Sequence, residues 1–164
     1  MWTEEEIRDS VQKYNSFGDN DFFMLLANST YPTPYESINL EFLPKLSQIH
    51  KLIGYSGHER GTFIPVAAAA LGARIVEKHI TFDRSQTGPD HKASMLPEEF
   101  ADMIFALRSL ELASGSNKDV NQAEKLAKEV FAKSAYTNKD LGAGHILTMD
   151  DIIFMSPGKG IYKH

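Results

Sequence analysis

The feature that most constrains this chain is a regular alternation of short apolar runs with amphipathic segments, joined by brief connections. Thr3 followed by Glu4, Glu5 and Glu6 reads as an N-cap with an acidic first turn, and Ile7, Val11 and Tyr14 then recur at helical spacing. Gly18-Asp19-Asn20 breaks that helix, and residues 22–27 read as a buried strand. Beyond the turn Tyr31-Pro32-Thr33-Pro34, a second helix carries Ile38, Phe42, Leu43 and Leu46. Next come a strand around 52–55, the loop Ser56-Gly57-His58-Glu59-Arg60-Gly61, and an apolar helix over 63–71 that closes on Gly72. Residues 74–82 read as another strand, and Leu96-Pro97-Glu98-Glu99 opens a helix over 100–113. This alternation predicts an α/β protein of parallel βα units, either a doubly wound sheet or a β/α barrel. In both architectures chemistry sits on loops after the carboxyl ends of strands. Residues 29–31, 56–58 and 79–90 all fall at such positions.

After Gly115 the character changes. Residues 116–119 are polar, and 123–131 read as a short helix or an ordered linker. From Lys133, the apolar residues Tyr136, Leu141, Ile146, Leu147 and 152–155 lie among turn residues, as in a few short strands of a second, mostly β module. The 164 residues, 42% hydrophobic and 24% charged, describe a globular chain. A formal charge of −5 argues against non-specific nucleic-acid binding. The absence of cysteine leaves no disulfide framework or thiolate chemistry and fits a reducing compartment. With no apolar run of membrane length and no signal-peptide pattern at the start, the expectation is a cytoplasmic protein that binds neither membrane nor nucleic acid.

His58 and His79 are the most informative pair. Each lies at the end of a predicted strand, and consecutive parallel strands are usually neighbours about 4.8 Å apart. Imidazoles from two such ends can reach one ion, because metal–nitrogen bonds are about 2.0–2.2 Å. In Val76-Glu77-Lys78-His79-Ile80-Thr81, alternation puts Glu77, His79 and Thr81 on one face. Central parallel strands are normally apolar on both faces, so this strand implies a polar interior. The alternative is two histidines that satisfy hydrogen bonds in a wet crevice. Ser56 offers a hydroxyl and an amide to an anion, although its loop also reads as a tight turn needing no ligand. The two prolines around Thr33 restrict the backbone and either hold Tyr31 over a pocket or make a rigid connector. Asp90 reads as a sugar-hydroxyl contact or an Asx turn former. Glu59 and Arg60 read as a solvated pair, or as a helix-start acid and its neighbour. His50, His145 and His164 read as surface residues.

Read together, the motifs Asn28-Ser29-Thr30-Tyr31-Pro32-Thr33-Pro34, Gly54-Tyr55-Ser56-Gly57-His58, Leu71-Gly72-Ala73, Glu77-Lys78-His79-Ile80-Thr81, Asp83-Arg84 and Gly88-Pro89-Asp90-His91 resemble the sialic acid synthase (N-acetylneuraminate synthase) family in order and spacing. Residues 135–140, Leu147-Thr148 and Ser156-Pro157-Gly158-Lys159-Gly160-Ile161 resemble that family's linker and the start of its antifreeze-like SAF domain. The resemblance implies the C-terminal portion of a TIM (β/α)8 barrel, about three βα units, over 1–114. It further implies a linker over 115–132 and the incomplete beginning of a small β-rich SAF domain over 133–164. The implied activity is that of a transferase in carbohydrate biosynthesis, which condenses phosphoenolpyruvate with N-acetylmannosamine or a related hexose derivative and forms a nine-carbon 2-keto sugar acid. It also implies a divalent cofactor, Mn2+ or Mg2+, with His58 and His79 as ligands. Ser29 and Ser56 are expected to contact the phosphoenolpyruvate phosphate. Tyr31 and Asp90 are expected to position the sugar as catalytic and substrate-binding residues. The full-length form is expected to be a homodimer.

The sequence departs from the family pattern in places. Ala27 and Asn28 stand where Cys-Thr is common, Gly57 where many bacterial members carry aspartate, and His145 where glutamate is common. A complete barrel needs about 200–250 residues and eight strands. The family's phosphoenolpyruvate-binding lysines and the acids of its earlier strands have no counterpart here. The chain alone is therefore expected to be an inactive fragment, with a non-catalytic remnant or binding module of the same fold as the alternative.

Overall fold

The computed structural model describes residues 2–18 and 21–162. Most of the turn Gly18-Asp19-Asn20 and the surface assignment of His164 lie outside the described residues. The chain divides into two compact units, Met1–Gly115 and Ser116–His164.

The first unit alternates helix and strand as its sequence predicts. It contains α1 (Glu4–Asn15), β1 (Met24–Ala27), α2 (Leu43–Ile49), β2 (Ile53–Gly57), α3 (Phe63–Ala70), β3 (Ile75–Lys78) and α4 (Pro97–Ala113). The strands form one parallel sheet in the order β1-β2-β3. α1 starts with a reciprocal cap, in which Glu6 N–H donates to the Thr3 hydroxyl and Thr3 N–H donates to the Glu6 carboxylate. α3 ends at Leu71, and Gly72 supplies the left-handed residue beyond it with φ +105°.

Every residue of the central strand β2 is buried. One apolar cluster, Ile38, Leu43, Leu46, Ile53, Tyr55, Ala68 and Ala73, joins it to α2 and α3. Burial at these positions is what converts the periodicity of α2 and α3 into stability, at roughly 25 cal/mol per Å² of apolar surface.

Several boundaries differ from the sequence reading. The expected single helix carrying Ile38 to Leu46 opens instead as two 3-10 turns, Tyr35–Ser37 and Leu40–Phe42. Asn39 between them adopts a left-handed conformation, φ 56°, which interrupts the α ladder. The strand expected over 74–82 stops at Lys78 and continues only as an isolated parallel bridge, Ile80 to Met95. α4 begins at Pro97 rather than at 100, because proline suits the first helical turn and the Glu99 carboxylate accepts the Leu96 N–H.

The second unit contains α5 (Gln122–Phe131) and an antiparallel pair, β4 (Ser134–Thr137) with β5 (Ile152–Met155). α5 is capped by Asn121 and is tied to the end of the chain, since Gly158 N–H donates to the Glu129 carbonyl. Beside β5, the Asp151 carboxylate gathers His145, Lys139 and the N–H and hydroxyl of Thr148. The His145 bond holds the pKa of the Asp151 carboxyl well below the usual carboxylate range, with Lys139 and Thr148 acting in the same direction. His145 is exposed, as expected of a surface residue, and is engaged there by Asp151.

A candidate site at the ends of the central strands

The register of the sheet decides which side chains meet. Ala27 pairs with Ser56, and Ser56 pairs with Glu77, so the loops after all three strands open on one rim. His58 follows β2 and His79 follows β3. Their rings lie edge to face with centroids 5.3 Å apart. The Tyr31 ring stacks on His58 at 4.2 Å and meets His79 at 5.6 Å, so three aromatic rings from three strand ends form one cluster.

His58 is buried and held on several sides. Its Nδ1 lies 2.6 Å from the Asn28 carbonyl oxygen. A carbonyl only accepts, so Nδ1 carries the hydrogen and the neutral ring presents a lone pair on Nε2. The Tyr31 hydroxyl donates to that Nε2 at 3.1 Å. Thr33 N–H donates to the His58 carbonyl at 3.0 Å, strapping the proline-flanked loop across it.

Asn28 organises the same loop: its side chain donates to Ser37 O and accepts from the N–H and hydroxyl of Thr30. His79 is half-buried. Its Nδ1 is 3.9 Å from the Asp90 carboxylate, and its carbonyl accepts Met95 N–H. The Ser56 hydroxyl donates to Glu77 at 2.6 Å and lies 3.5 Å from His58 Nε2.

The structure therefore brings Tyr31, Ser56, His58, His79 and Asp90 to one rim. Ser29 is exposed on the loop after β1, and none of its contacts joins it to this cluster among the described residues. Thr81 lies two residues beyond His79, on the far side of the Ile80 bridge to Met95. It is buried, and its hydroxyl lies 2.8 Å from His91 Nδ1. Asp90 shapes its loop through its main-chain carbonyl, which accepts Ala93 and Ser94 N–H, rather than through its carboxylate. Groups able to ligate a cation are His58 Nε2 and a ring nitrogen of His79. Among the described residues, no set of three or more His, Cys, Asp or Glu side chains is gathered to hold an ion. A separate cavity of about 820 Å³ lies between α1, β1 and α2, and none of the six candidate residues lines it.

Two sequence expectations are corrected here. Glu59 is not a solvated partner of Arg60. Its carboxylate is fully buried, accepts from Tyr55 Oη at 2.6 Å and pairs with Lys78 Nζ at 3.0 Å. Burial pulls the Lys78 ammonium below its ordinary pKa, partly offset by Glu59, and burial together with the Glu59 bond pushes the Tyr55 phenol up. Arg60 turns away and donates to Lys92 O. His50 is likewise no plain surface residue: it stacks on Phe22 at 4.1 Å, and its Nε2 bonds the Phe22 carbonyl at 2.7 Å. Asn28, Glu77 and the Glu59–Lys78 pair are the contributors that sequence reasoning left without a role.

A three-stranded parallel sheet with its polar cluster at the carboxyl ends of its strands defines the α/β class. Residues 1–119 match the NeuB family, and the chain belongs to it. It is 35% identical over 163 residues to the N,N'-diacetyllegionaminic acid synthase of Legionella pneumophila, covering 96% of this chain and 46% of that protein. It is 41% identical over 136 residues to the N-acetylneuraminate-9-phosphate synthase of Homo sapiens, covering 79% of this chain and 37% of that protein. The crystal structure of the N-acetylneuraminic acid synthetase from Leptospira borgpetersenii superposes with a TM-score of 0.68 at 29% identity, covering 77% of this chain and 45% of that one. The chain spans less than half the length of these relatives. Among the described residues no helix is long and apolar enough to cross a membrane.

Proposed function

We propose that this chain forms the metal-binding rim of a sialic acid synthase-type site. The reaction is condensation of phosphoenolpyruvate with N-acetylmannosamine or a related hexose derivative, releasing phosphate and giving a nine-carbon 2-keto sugar acid. The observation that carries this reading is the Tyr31, His58 and His79 cluster at the strand ends of a NeuB-family chain. In this reading the first unit is a portion of a (β/α)8 barrel and the second begins a SAF domain. The whole protein is a cytoplasmic homodimer.

The donor set fits a divalent ion, Mn2+ or Mg2+, in one specific respect. The Asn28 carbonyl fixes Nδ1 of His58 as the donor, so the lone pair on Nε2, which here accepts from the Tyr31 hydroxyl, is the one an ion would take, as outer partners of metal-bound histidines arrange. Such an ion, held by His58 and His79, supplies Lewis-acid polarisation of the sugar aldehyde. The chain's own residues then bind and orient. Ser56, steadied by Glu77, and Ser29 meet the phosphate of phosphoenolpyruvate, while Tyr31 and Asp90 position the sugar.

Two imidazoles make only part of a coordination shell, so the chain by itself acts as a binding element without turnover. Calorimetric titration with Mn2+ and with phosphoenolpyruvate is expected to show binding that His58→Asn/His79→Asn abolishes. Phosphate release from phosphoenolpyruvate dependent on N-acetylmannosamine, catalysed by the chain alone, would overturn the binding-only part. Absence of Mn2+ binding would overturn the site.

A further inference from the structure

Below the rim lies a polar group that the proposed chemistry does not use. Lys78 and Glu59 form an ion pair whose side chains are completely buried. Lys78 Nζ makes two bonds to the same residue, to the Glu59 carboxylate at 3.0 Å and to the Glu59 main-chain carbonyl at 2.5 Å. Tyr55 Oη, from inside β2, donates to the other carboxylate oxygen. The space around them is filled. A Cβ on Gly57 would lie 2.8 Å from Lys78 Cδ, 2.8 Å from Tyr55 Cε1 and 2.9 Å from Glu59 Oε1. Glycine at the last position of β2 therefore leaves the room this packing uses, and any side chain there would displace the three groups.

The placement in sequence gives the group its meaning. Glu59 is the residue directly after His58, and Lys78 is the residue directly before His79. A bond from Lys78 to the main chain of Glu59 thus ties together the two strand ends that present the imidazoles.

We propose that Lys78 and Glu59, braced by Tyr55, are positioning residues whose buried ion pair sets the separation at which His58 and His79 are presented. The proposal rests on the reading that both imidazoles serve one ion. Its central claim, the fixed spacing of the rings, can nevertheless be read without metal. Other loops also hold the rings: Asn28 and Thr33 on His58, and Met95 on His79. Those contacts fix each histidine to its own surroundings, and Lys78–Glu59 is a direct tie between the two histidine-bearing segments. A buried pair kept only for stability could be exchanged for apolar residues of similar volume with little loss. A pair that sets geometry could not.

The test uses the full 164-residue chain with Tyr55→Phe, Glu59→Met and Lys78→Met combined, which removes the triad without stranding a buried charge. The metal-free readout is NMR of the histidine side chains. The natural chain is expected to show ring-to-ring cross-peaks between His58 and His79, and the triple variant to lose them while keeping the two units' amide spectra folded. The second readout is Mn2+ affinity by electron paramagnetic resonance, expected to fall about 10–100-fold, the scale on which outer-shell partners act. Lys78→Arg, which keeps the pair, is expected to retain the cross-peaks and most of the affinity.

A folded triple variant with unchanged cross-peaks would refute the positioning role. If the triple variant does not fold, Lys78→Arg decides: cross-peaks retained support the tie, and cross-peaks lost with an intact fold overturn it. Failure of the natural chain to bind Mn2+, with cross-peaks behaving as expected, would sink the metal reading and leave the positioning claim standing.

Discussion

Replacing Lys78 alone by methionine tests the energetics of the buried pair most sharply. The charges sit 3.0 Å apart with neither side chain exposed, so at an effective dielectric of about 20 their attraction is roughly 5 kcal/mol. Desolvating both ions costs a comparable amount, and the pair as a whole therefore adds little net stability. Breaking it is different, because Glu59 remains buried without its cation. Uncompensated charges of this kind cost about 3–5 kcal/mol. The Tyr55 hydroxyl still donates to Glu59, which places Lys78→Met at the lower end, about 3 kcal/mol. For a unit of Met1–Gly115 size, each kcal/mol moves the melting midpoint by about 3–6 °C, so the drop should be about 10–15 °C. Tyr55→Phe/Glu59→Met/Lys78→Met, which also removes the buried phenol that donates to Glu59, should recover most of that drop in differential scanning calorimetry. A triple variant as unstable as the single one would refute this account, since it would locate the cost in lost packing rather than in a stranded charge.

Leu43 is fully buried in the core beside β2, and Leu43→Ala should cost about 2–5 kcal/mol, measured as a lower urea midpoint at unchanged slope. Tyr31→Phe keeps the ring stacked on His58 but deletes the donor to Nε2. It should leave Mn2+ affinity within about threefold by titration, whereas Tyr31→Ala should loosen the His58 ring and lower affinity further. Asp151 is held well below its ordinary pKa by His145, so the folded second unit releases that proton more readily than the unfolded chain. Its contribution is complete above the unfolded carboxylate value near 3.9 and is lost as pH falls through the folded value. Asp151→Asn should therefore flatten the acid limb of a stability–pH curve read by tyrosine fluorescence.

Much of this architecture was legible because periodicity reports burial. The apolar runs at β1 and β2, the alanines of α3 and the glycine after it name their elements directly. His58 and His79 were legible because each falls at a strand end and strands of consecutive βα units are neighbours in the sheet. Glu59 was not, and the reason is physical. A glutamate next to an arginine in a loop normally stays in water, and only the tertiary placement of Lys78 beneath it makes burial affordable. Asn28 was noted only as a substituted position, because its role depends on where its main-chain carbonyl points, which no side-chain pattern encodes. The early end of β3 reflects the same limit: residues 79–81 remain extended, but they bridge to Met95 on a loop rather than to another strand.

The alternation of β3 divides labour between the two faces of the sheet. Ile75 and Glu77 lie on the exposed face and Val76 and Lys78 on the covered one, so the residue that reaches the rim and the residue that anchors it are adjacent in sequence. A one-residue slip in this strand would exchange the faces, sending Lys78 towards the rim and a neighbouring side chain into the space facing Glu59. The buried ion pair is thus specific to one register, because Glu59 accepts a cation from a single position of β3. An inserted alanine between Val76 and Glu77 should expose this. If the pair pins the register, the chain should keep Lys78 on Glu59 and bulge upstream, leaving the His58–His79 cross-peaks intact. If hydrogen bonding along β2–β3 dominates, the slip should propagate, and the cross-peaks and the fold of the first unit should be lost together.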